Sequence, residues 1–383
     1  MNLLLVSIDS LRVDFVARTN PQIRTPRFDE VIRDFAFSDR CFSVSSATRP
    51  VHTTLFTGLY PFEHGVLGQR TPRMRSSVPH LFEKLARVGY RVEGFSQAAQ
   101  IFSGLAYAPW IRPFESEEVQ RALRAPGPRC VFLHFWETHT PYGAADGRAL
   151  GETAALLAQG NRAEVVSRYC RAVVKVFEGH LAPLLTGLPL ERWLVLICGD
   201  HGESWTAAEP YHGQSLENSV LRVPFFLHVP YTGAPRLETP ILSLVDVFPT
   251  VLRALGVQAD TGGFGRDLRL PDAEPLYLAE LDPGAKGSPD SAAIANTAGE
   301  GPRNRQWAIF DAQCKFTCWE DLGEYRLEHT FSGEALPLSA GEVAGYCRRY
   351  HELRARSPYN APQHPSWTPE AEVDRRLRDL GYL

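Results

Sequence analysis

Three stretches of this chain carry residues of types and spacings that could do chemistry. The first is Thr48-Arg49-Pro50-Val51-His52-Thr53-Thr54-Leu55-Phe56-Thr57-Gly58. It places a hydroxyl at a predicted helix start, a proline two residues on, a histidine four residues on, and a helix stop at Thr57-Gly58. Backbone N–H groups at a helix start point outward and favour anions, so a nucleophile there has a ready partner in a phosphate or sulfate. The plainer reading makes Thr48 a helix N-cap. His52, one turn past Thr48, is predicted to face the same site; as an alternative, it bonds the backbone of its own helix. The second stretch is Gly199-Asp200-His201-Gly202-Glu203, directly after the apolar run 193–198. An adjacent Asp-His pair at a strand's carboxyl end can offer one divalent metal a carboxylate and an imidazole, a donor set that suits zinc or manganese without thiols. The third comprises two histidine segments, Leu133-His134-Phe135-Trp136-Glu137-Thr138-His139-Thr140-Pro141-Tyr142 and Tyr211-His212-Gly213. His134 alternates onto the other strand face and is predicted as core.

These residues need a scaffold. Residues 3–8 form a continuous apolar run, as a central strand of a parallel sheet requires. Asp9 closes that run at the carboxyl end, where open α/β sheets carry their ligand sites. Further strands are predicted at 91–96, 130–135, 193–198 and 224–229, with helices at 26–37, 78–88 and 154–184. The alternation predicts a doubly wound α/β domain. After the helix that ends near Gly256 the texture changes. Residues 262–283 are rich in Gly, Pro and Asp, and 284–304 are small and polar, a predicted loop. Short antiparallel strands are predicted at 307–310, 315–319 and 324–329, and an amphipathic helix at 368–383. The division expected is a catalytic domain at 1–272 and a smaller C-terminal subdomain at 273–383. Gly262-Gly263-Phe264-Gly265 lacks the preceding strand and following helix of a dinucleotide loop, and the arginines within 371–378 are expected on a solvated helix face.

Composition narrows the class. The chain has 383 residues, 44% hydrophobic and 22% charged, as in an ordinary soluble globular protein. A net charge of −4 gives no case for nucleic acid or a membrane surface as partner. The apolar run at the N-terminus is too short for a signal peptide and has no positive flank, and nothing reaches bilayer-spanning length. Seven cysteines, odd in number and scattered, suggest reduced thiols and a cytoplasmic protein. Cys314 and Cys318 have no second pair for a zinc site and are expected as buried thiols in neighbouring strands.

The Thr48 motif resembles the nucleophile motif of the alkaline phosphatase and sulfatase superfamily. There a Cys, Ser or Thr is followed by x-Pro-x-Arg or x-Pro-x-His and then by Leu-x-Thr-Gly. A second frame, Ser45-Ser46-Ala47-Thr48-Arg49, resembles a relaxed sulfatase pattern in which Ser45 would become formylglycine. Thr57-Gly58 lies too far beyond Arg49 for that frame, whereas it fits with Thr48 as nucleophile, Pro50 as the proline and His52 in place of the arginine. Threonine cannot become formylglycine. The Thr-x-Pro-x-His form resembles nucleotide pyrophosphatase/phosphodiesterases, which use threonine directly.

The resemblance implies an alkaline-phosphatase-like three-layer α/β/α fold with a mostly parallel sheet and a smaller antiparallel α+β subdomain. It implies a divalent metal held by Asp9, Thr48, Asp200 and His201, zinc or manganese first and calcium or magnesium second, with one or two ions per chain. Sulfatases usually carry a second Asp after the first; here Ser10-Leu11-Arg12 follows Asp9, which weakens a calcium site of many carboxylates. His139 and Tyr142 resemble the family's substrate loop. His212 stands near the place of a sulfate-binding lysine in sulfatases and of a histidine in phosphoethanolamine transferases. His139 and His212 are therefore expected either to grip the oxyanion or to hold a second metal with Glu137. Asp246 resembles a structural aspartate of sulfatases, a helix cap. The activity implied is metal-dependent hydrolysis or transfer of a small phosphate mono- or diester through phospho-Thr48, with Thr48, His52, His139 and His212 catalytic. A sulfate-ester hydrolase is the alternative. A silent binding member is the second, disfavoured by the complete residue set.

Overall fold

The apolar run after Met1 becomes β1 (Asn2–Ile8), buried along nearly its whole length. Its neighbours are β5 (Arg129–Phe135) and β6 (Trp193–Gly199), both parallel to it. A strand covered on both faces reads as continuous hydrophobicity, which is why these three were legible. The computed structural model describes residues 1–71, 73–142, 151–206, 209–231, 237, 239–259, 262–270, 275–282 and 304–359. The boundary at 272/273, the helix at 368–383 with its arginines, and nearly all of the loop at 284–304 lie outside the described residues.

Eight strands make the main sheet in the order β4-β3-β5-β1-β6-β7-β2-β8. The added members are β2 (Ala36–Phe42), β3 (Arg91–Ser96), β4 (Ile111–Pro113), β7 (Arg222–His228) and β8 (Leu242–Ser243). Most pairings are parallel, but β7 runs antiparallel to both β6 and β2. Two hydrophobic cores cover the faces, one around Val51, Phe56 and Phe132 and one around Phe28, Val173 and Phe177. Among the described residues no helix is long and apolar enough to cross a membrane.

Several expectations need correction. The helix expected at 26–37 is only α1 (Pro26–Val31); the chain then turns into β2, because Phe35 and Phe37 serve a strand and its approach rather than one helix face. The helix expected at 154–184 is broken. Gly160 takes a left-handed φ of 74°, Asn161 caps a new start at Arg162, and a wide turn occupies Lys175–Leu181. The Gly- and Pro-rich stretch hides β9 (Tyr277–Leu281), the edge of a second, antiparallel sheet with β10 (Gln306–Phe310), β11 (Cys314–Trp319) and β12 (Glu324–His329). Cys314 and Cys318 lie on one strand, β11, not on two, and none of the seven cysteines is in a disulfide. A helix at Ala340–Arg356 was also not foreseen, although Ser339 and Glu342 form a capping box that announces it.

The end of that helix ties into the main body through a buried acid. Glu63 accepts hydrogen bonds from the Tyr60 N–H at 2.8 Å and the Ser357 hydroxyl at 2.6 Å. Burial raises its pKa from 4.5 to about 7, the Ser357 and Tyr60 bonds opposing and Glu280 reinforcing the rise. An acid with a raised folded pKa stabilises fully below its ordinary value and loses that contribution as pH rises through the folded one. Thermal stability is therefore expected to fall as pH rises through about 7, and Glu63→Gln should flatten that decline in melts taken at a series of pH values. An unchanged slope in the variant would remove Glu63 as the cause.

Candidate active site

The site sits where β1 and β6 end together. Ile8 pairs with Gly199, so the next residues, Asp9 and Asp200, come out side by side. Their backbones continue the ladder, with the Asp9 N–H donating to Phe135 O at 2.9 Å and the Asp200 N–H to Ile8 O at 3.2 Å. The chain turns sharply at both exits. Ser10 adopts a left-handed φ of 56°, which sends its N–H to Asp200 Oδ1 at 2.9 Å and its hydroxyl to Asp9 Oδ1 at 2.8 Å. Gly202 lies so close to the Ser219 carbonyl that a Cβ would stand 2.1 Å from its oxygen, so only glycine fits after the Asp-His pair.

Thr48 opens α2 (Thr48–Thr57), which ends in a left-handed Gly58 pressed against Phe248. The N-cap is Ala47, and no side chain caps the helix, so Thr48 is not its cap. Its hydroxyl instead turns to the strand ends. It donates to Asp9 Oδ2 at 3.3 Å and lies 3.4 Å from His201 Nε2. The helix start itself offers an anion little: Pro50 has no N–H, and the Arg49 N–H is taken by Gln69 Oε1 at 3.1 Å. Arg49, the arginine of the Ser45 frame, sends its guanidinium onto the carbonyls of Thr71, Ile101 and Ser103.

Asp9, Asp200 and His201 offer ligand atoms all within 4.8 Å of one another, as do His52, His134 and Asp200. Every one of these side chains is fully buried. Asp200 Oδ1 takes two backbone N–H bonds, while Oδ2 has no hydrogen-bond partner among the described residues. His201 Nδ1 faces the Gly202 carbonyl at 3.1 Å. A carbonyl only accepts, so that nitrogen carries the proton and Nε2 keeps a free lone pair toward Thr48. His139 is fixed alike, with Nδ1 on Thr140 O at 2.7 Å. Burial would raise the Asp9 carboxyl, yet the neighbouring imidazoles of His134, His139 and His201 hold it well below the carboxylate range. Burial and the neighbouring Asp9 charge push Asp200 well above it. Burial, helped by His212, lowers His201 to about 3, and burial likewise lowers His52, His139 and His212. Neutral imidazoles, a carboxylate oxygen without a hydrogen bond among the described residues and a repelling acid pair form a donor set that would suit a divalent cation.

The remaining expected residues fall into different positions. His139 and His212 stand together over the site, their ring centroids 5.0 Å apart, with His212 4.2 Å from His201. Glu137 does not join them: its carboxylate is bound by His180 at 2.9 Å and Lys175 at 3.2 Å on the broken helix segment. The acid beside His212 is Glu203, fully buried, with Oε1 3.0 Å from His212 Nδ1. Burial raises Glu203 to about 8, against the charge of His139. It stands in the Gly199–Glu203 run, and its position two residues past His201 was the available signal. His52 is fully buried behind the acids, with Nδ1 on Thr48 O at 2.8 Å and 3.8 Å from Asp200 Oδ2. His134 is not mere core. Its Nε2 lies 3.4 Å from Asp9 Oδ2 and its Nδ1 2.8 Å from Ser96 Oγ. The β5 face it shares with Phe132 is the one that packs on α2, so the alternation placed it beside His52, their ring centroids 4.9 Å apart. Asp246 is structural, accepting from the backbone N–H groups of Ser243 and Arg266.

A mixed sheet with a hydroxyl, two acids and paired imidazoles at its strand ends defines a sulfatase-like α/β architecture. Comparison with known families agrees: residues 3–102 match the type I phosphodiesterase / nucleotide pyrophosphatase family, and residues 116–257 match the sulfatase family. The chain thus carries sulfatase and type I phosphodiesterase / nucleotide pyrophosphatase family stretches, and its structural neighbours are sulfatases and phosphonate monoester hydrolases of the alkaline phosphatase superfamily. No curated protein matches it. Among solved structures it resembles a phosphonate monoester hydrolase of Agrobacterium radiobacter at 17% identity and a TM-score of 0.66, over 93% of this chain and 96% of that one. A phosphonate monoester hydrolase from Silicibacter pomeroyi matches at 16% and 0.66, over 93% and 95%. A 2-O GAG sulfatase matches at 14% and 0.68, over 100% and 94%. Members of the superfamily are hydrolases of small sulfate or phosphate esters that use divalent metals.

Proposed function

We propose that this protein hydrolyses or transfers a small phosphate mono- or diester through a covalent phospho-Thr48 intermediate. The carrying observation is the Thr48 hydroxyl, 3.3 Å from Asp9 and 3.4 Å from His201 at the mouth of the Asp9–Asp200–His201 cluster. Asp9, Asp200, His201 and Thr48 would hold the metal. Bound there, a divalent ion lowers the pKa of the hydroxyl and neutralises the oxyanion. Its proton released to water when the metal binds, Thr48 Oγ1, oriented by Asp9, attacks phosphorus in line; the Oγ1–P bond forms, the bond to the leaving oxygen breaks, and that oxygen departs as an anion that takes a proton from water. His139, its Nδ1–H held by Thr140, keeps the Nε2 lone pair as a base that takes a proton from the water or acceptor alcohol of the second step, and His212 stands across from it. Water then releases the group from Thr48, or an acceptor alcohol takes it. The catalytic unit is assigned to residues 1–272 and the smaller one to 273–383.

Threonine at the nucleophile position, within the stretch that matches the phosphodiesterase family, supports phosphate over sulfate. The purified protein should carry one or two divalent ions per chain, zinc or manganese, and chelation should abolish turnover. Aryl phosphate monoesters or diesters should be cleaved faster than aryl sulfates, because charge matching dominates at such centres. Ser45 should be unmodified by mass spectrometry. Formylglycine at Ser45, or sulfate turnover far above phosphate turnover, would restore the sulfatase reading. Failure to bind metal or turn over any ester would favour a binding role.

A further inference from the structure

The second sheet contributes no candidate ligand, yet it grips the loop that does. His212 lies on the segment between Ser204 and β7. Glu209 closes the first half of that loop, accepting from the N–H groups of Gln214 and Ser215 at 2.8 and 3.1 Å. The other half is held from outside by β10, β11 and β12. Lys315 on β11 is fully buried and donates to Leu216 O at 3.0 Å and Asn218 Oδ1 at 2.7 Å, while pairing with Glu328 across the ladder at 2.8 Å. Two protons of its ammonium group are thereby directed at the loop, while Glu328 balances its charge. Gln306 on β10 donates to Gln214 O at 2.6 Å, Arg326 on β12 pairs with Glu217, and Asn218 Nδ2 donates to Thr330 O at 2.8 Å. The loop so held lies against the nucleophile's own segment, since a Cβ on Gly213 would stand 3.7 Å from Ser46 O.

A buried ion pair is a weak source of net stability, because the cost of taking two charges out of water offsets their attraction. What the Lys315 arrangement supplies is geometry: two hydrogen bonds to the loop and a counter-ion on β12 fix the loop's height over the sheet. We propose that Lys315 is a positioning residue of the active site, clamping the 209–218 loop so that His212 stands over Thr48. This rests on the reading that His212 contacts the transferred group.

The test is a double-mutant cycle on the metal-loaded enzyme, using whichever aryl ester the wild type turns over fastest. Lys315→Met with Glu328→Leu removes the ion pair, and Arg326, which also pairs with Glu328 at 3.0 Å, keeps Glu217 as its partner; Asn218→Ala, milder, runs the same cycle should that pair variant not fold. The clamp variant should keep its metal content and lose about 10- to 100-fold in turnover, the scale on which small misplacements act. Combined with His212→Ala it should cost nothing further, because both act on one contact. Amide exchange over 212–218 should quicken in the metal-free variant. An equal loss in the presence and absence of His212, or unchanged exchange, would overturn the clamp. If His212→Ala alone leaves turnover intact, the reading of His212 fails, and the clamp with it.

Discussion

Thr48→Ala is expected to reduce ester turnover on the order of 10⁴- to 10⁶-fold, the range seen when a nucleophile is removed from a preorganised site. The argument is geometric. Thr48 is the only described residue whose hydroxyl lies within hydrogen-bonding range of both Asp9 and His201. The variant should fold and should keep metal through Asp9, Asp200 and His201, because three of the proposed ligands remain. Thr48→Ser should retain part of the activity, since the attacking oxygen stays and only a methyl is lost. A capping threonine would behave differently, costing about 0.5–2 kcal/mol of stability while turnover per folded molecule stayed intact. That alternative is already weakened, because Ala47 occupies the cap position and no side chain bonds the helix start. Turnover and melting temperature measured on the same samples decide the matter. A destabilised but fully active Thr48→Ala would end the mechanism.

The sequence was most legible where burial imposes continuous hydrophobicity. β1, β5 and β6 are covered on both faces, so their apolar runs marked them, and the acids that follow β1 and β6 are those of the site. The α2 boundaries were equally plain, because a left-handed glycine packed on Phe248 must end that helix. Legibility failed where an element is short or at an edge. β4 and β8 are too short to show a period, β9 is buried but lies inside a Gly- and Pro-rich stretch and carries Glu280, and β2 shares its aromatic residues with the turn before it. Side-chain partners across the fold were a separate limit. Glu137 and Glu203 stand beside histidines in sequence alike, yet only the tertiary fold sends one to Lys175 and His180 and the other to His212. His134 shows the same limit: strand alternation gave its face, but not that α2 would bring His52 to that face.

The metal itself should depend on the acid pair more sharply than on any other feature. Asp9 and Asp200 emerge from adjacent strands into a fully buried space, where burial and the charge of Asp9 both work against an ionised Asp200. A divalent cation reverses that penalty, so the pair costs stability without metal and contributes it with metal. Wild-type protein at a metal concentration about 100 times the dissociation constant should gain roughly 2.7 kcal/mol over its chelated form. Asp200→Asn keeps a carbonyl oxygen for the N–H groups of Ser10 and His201 but removes the charge. It should therefore be no less stable than chelated wild type, yet gain nothing when metal is added, and its metal content should fall to background. His201→Ala should lose metal too, but from a lower starting stability, because it empties a fully buried position. Paired melts with and without chelator, alongside metal analysis, separate a lost ligand from a damaged core. Full metal occupancy in both variants would sink the proposed site, whatever the activity measured.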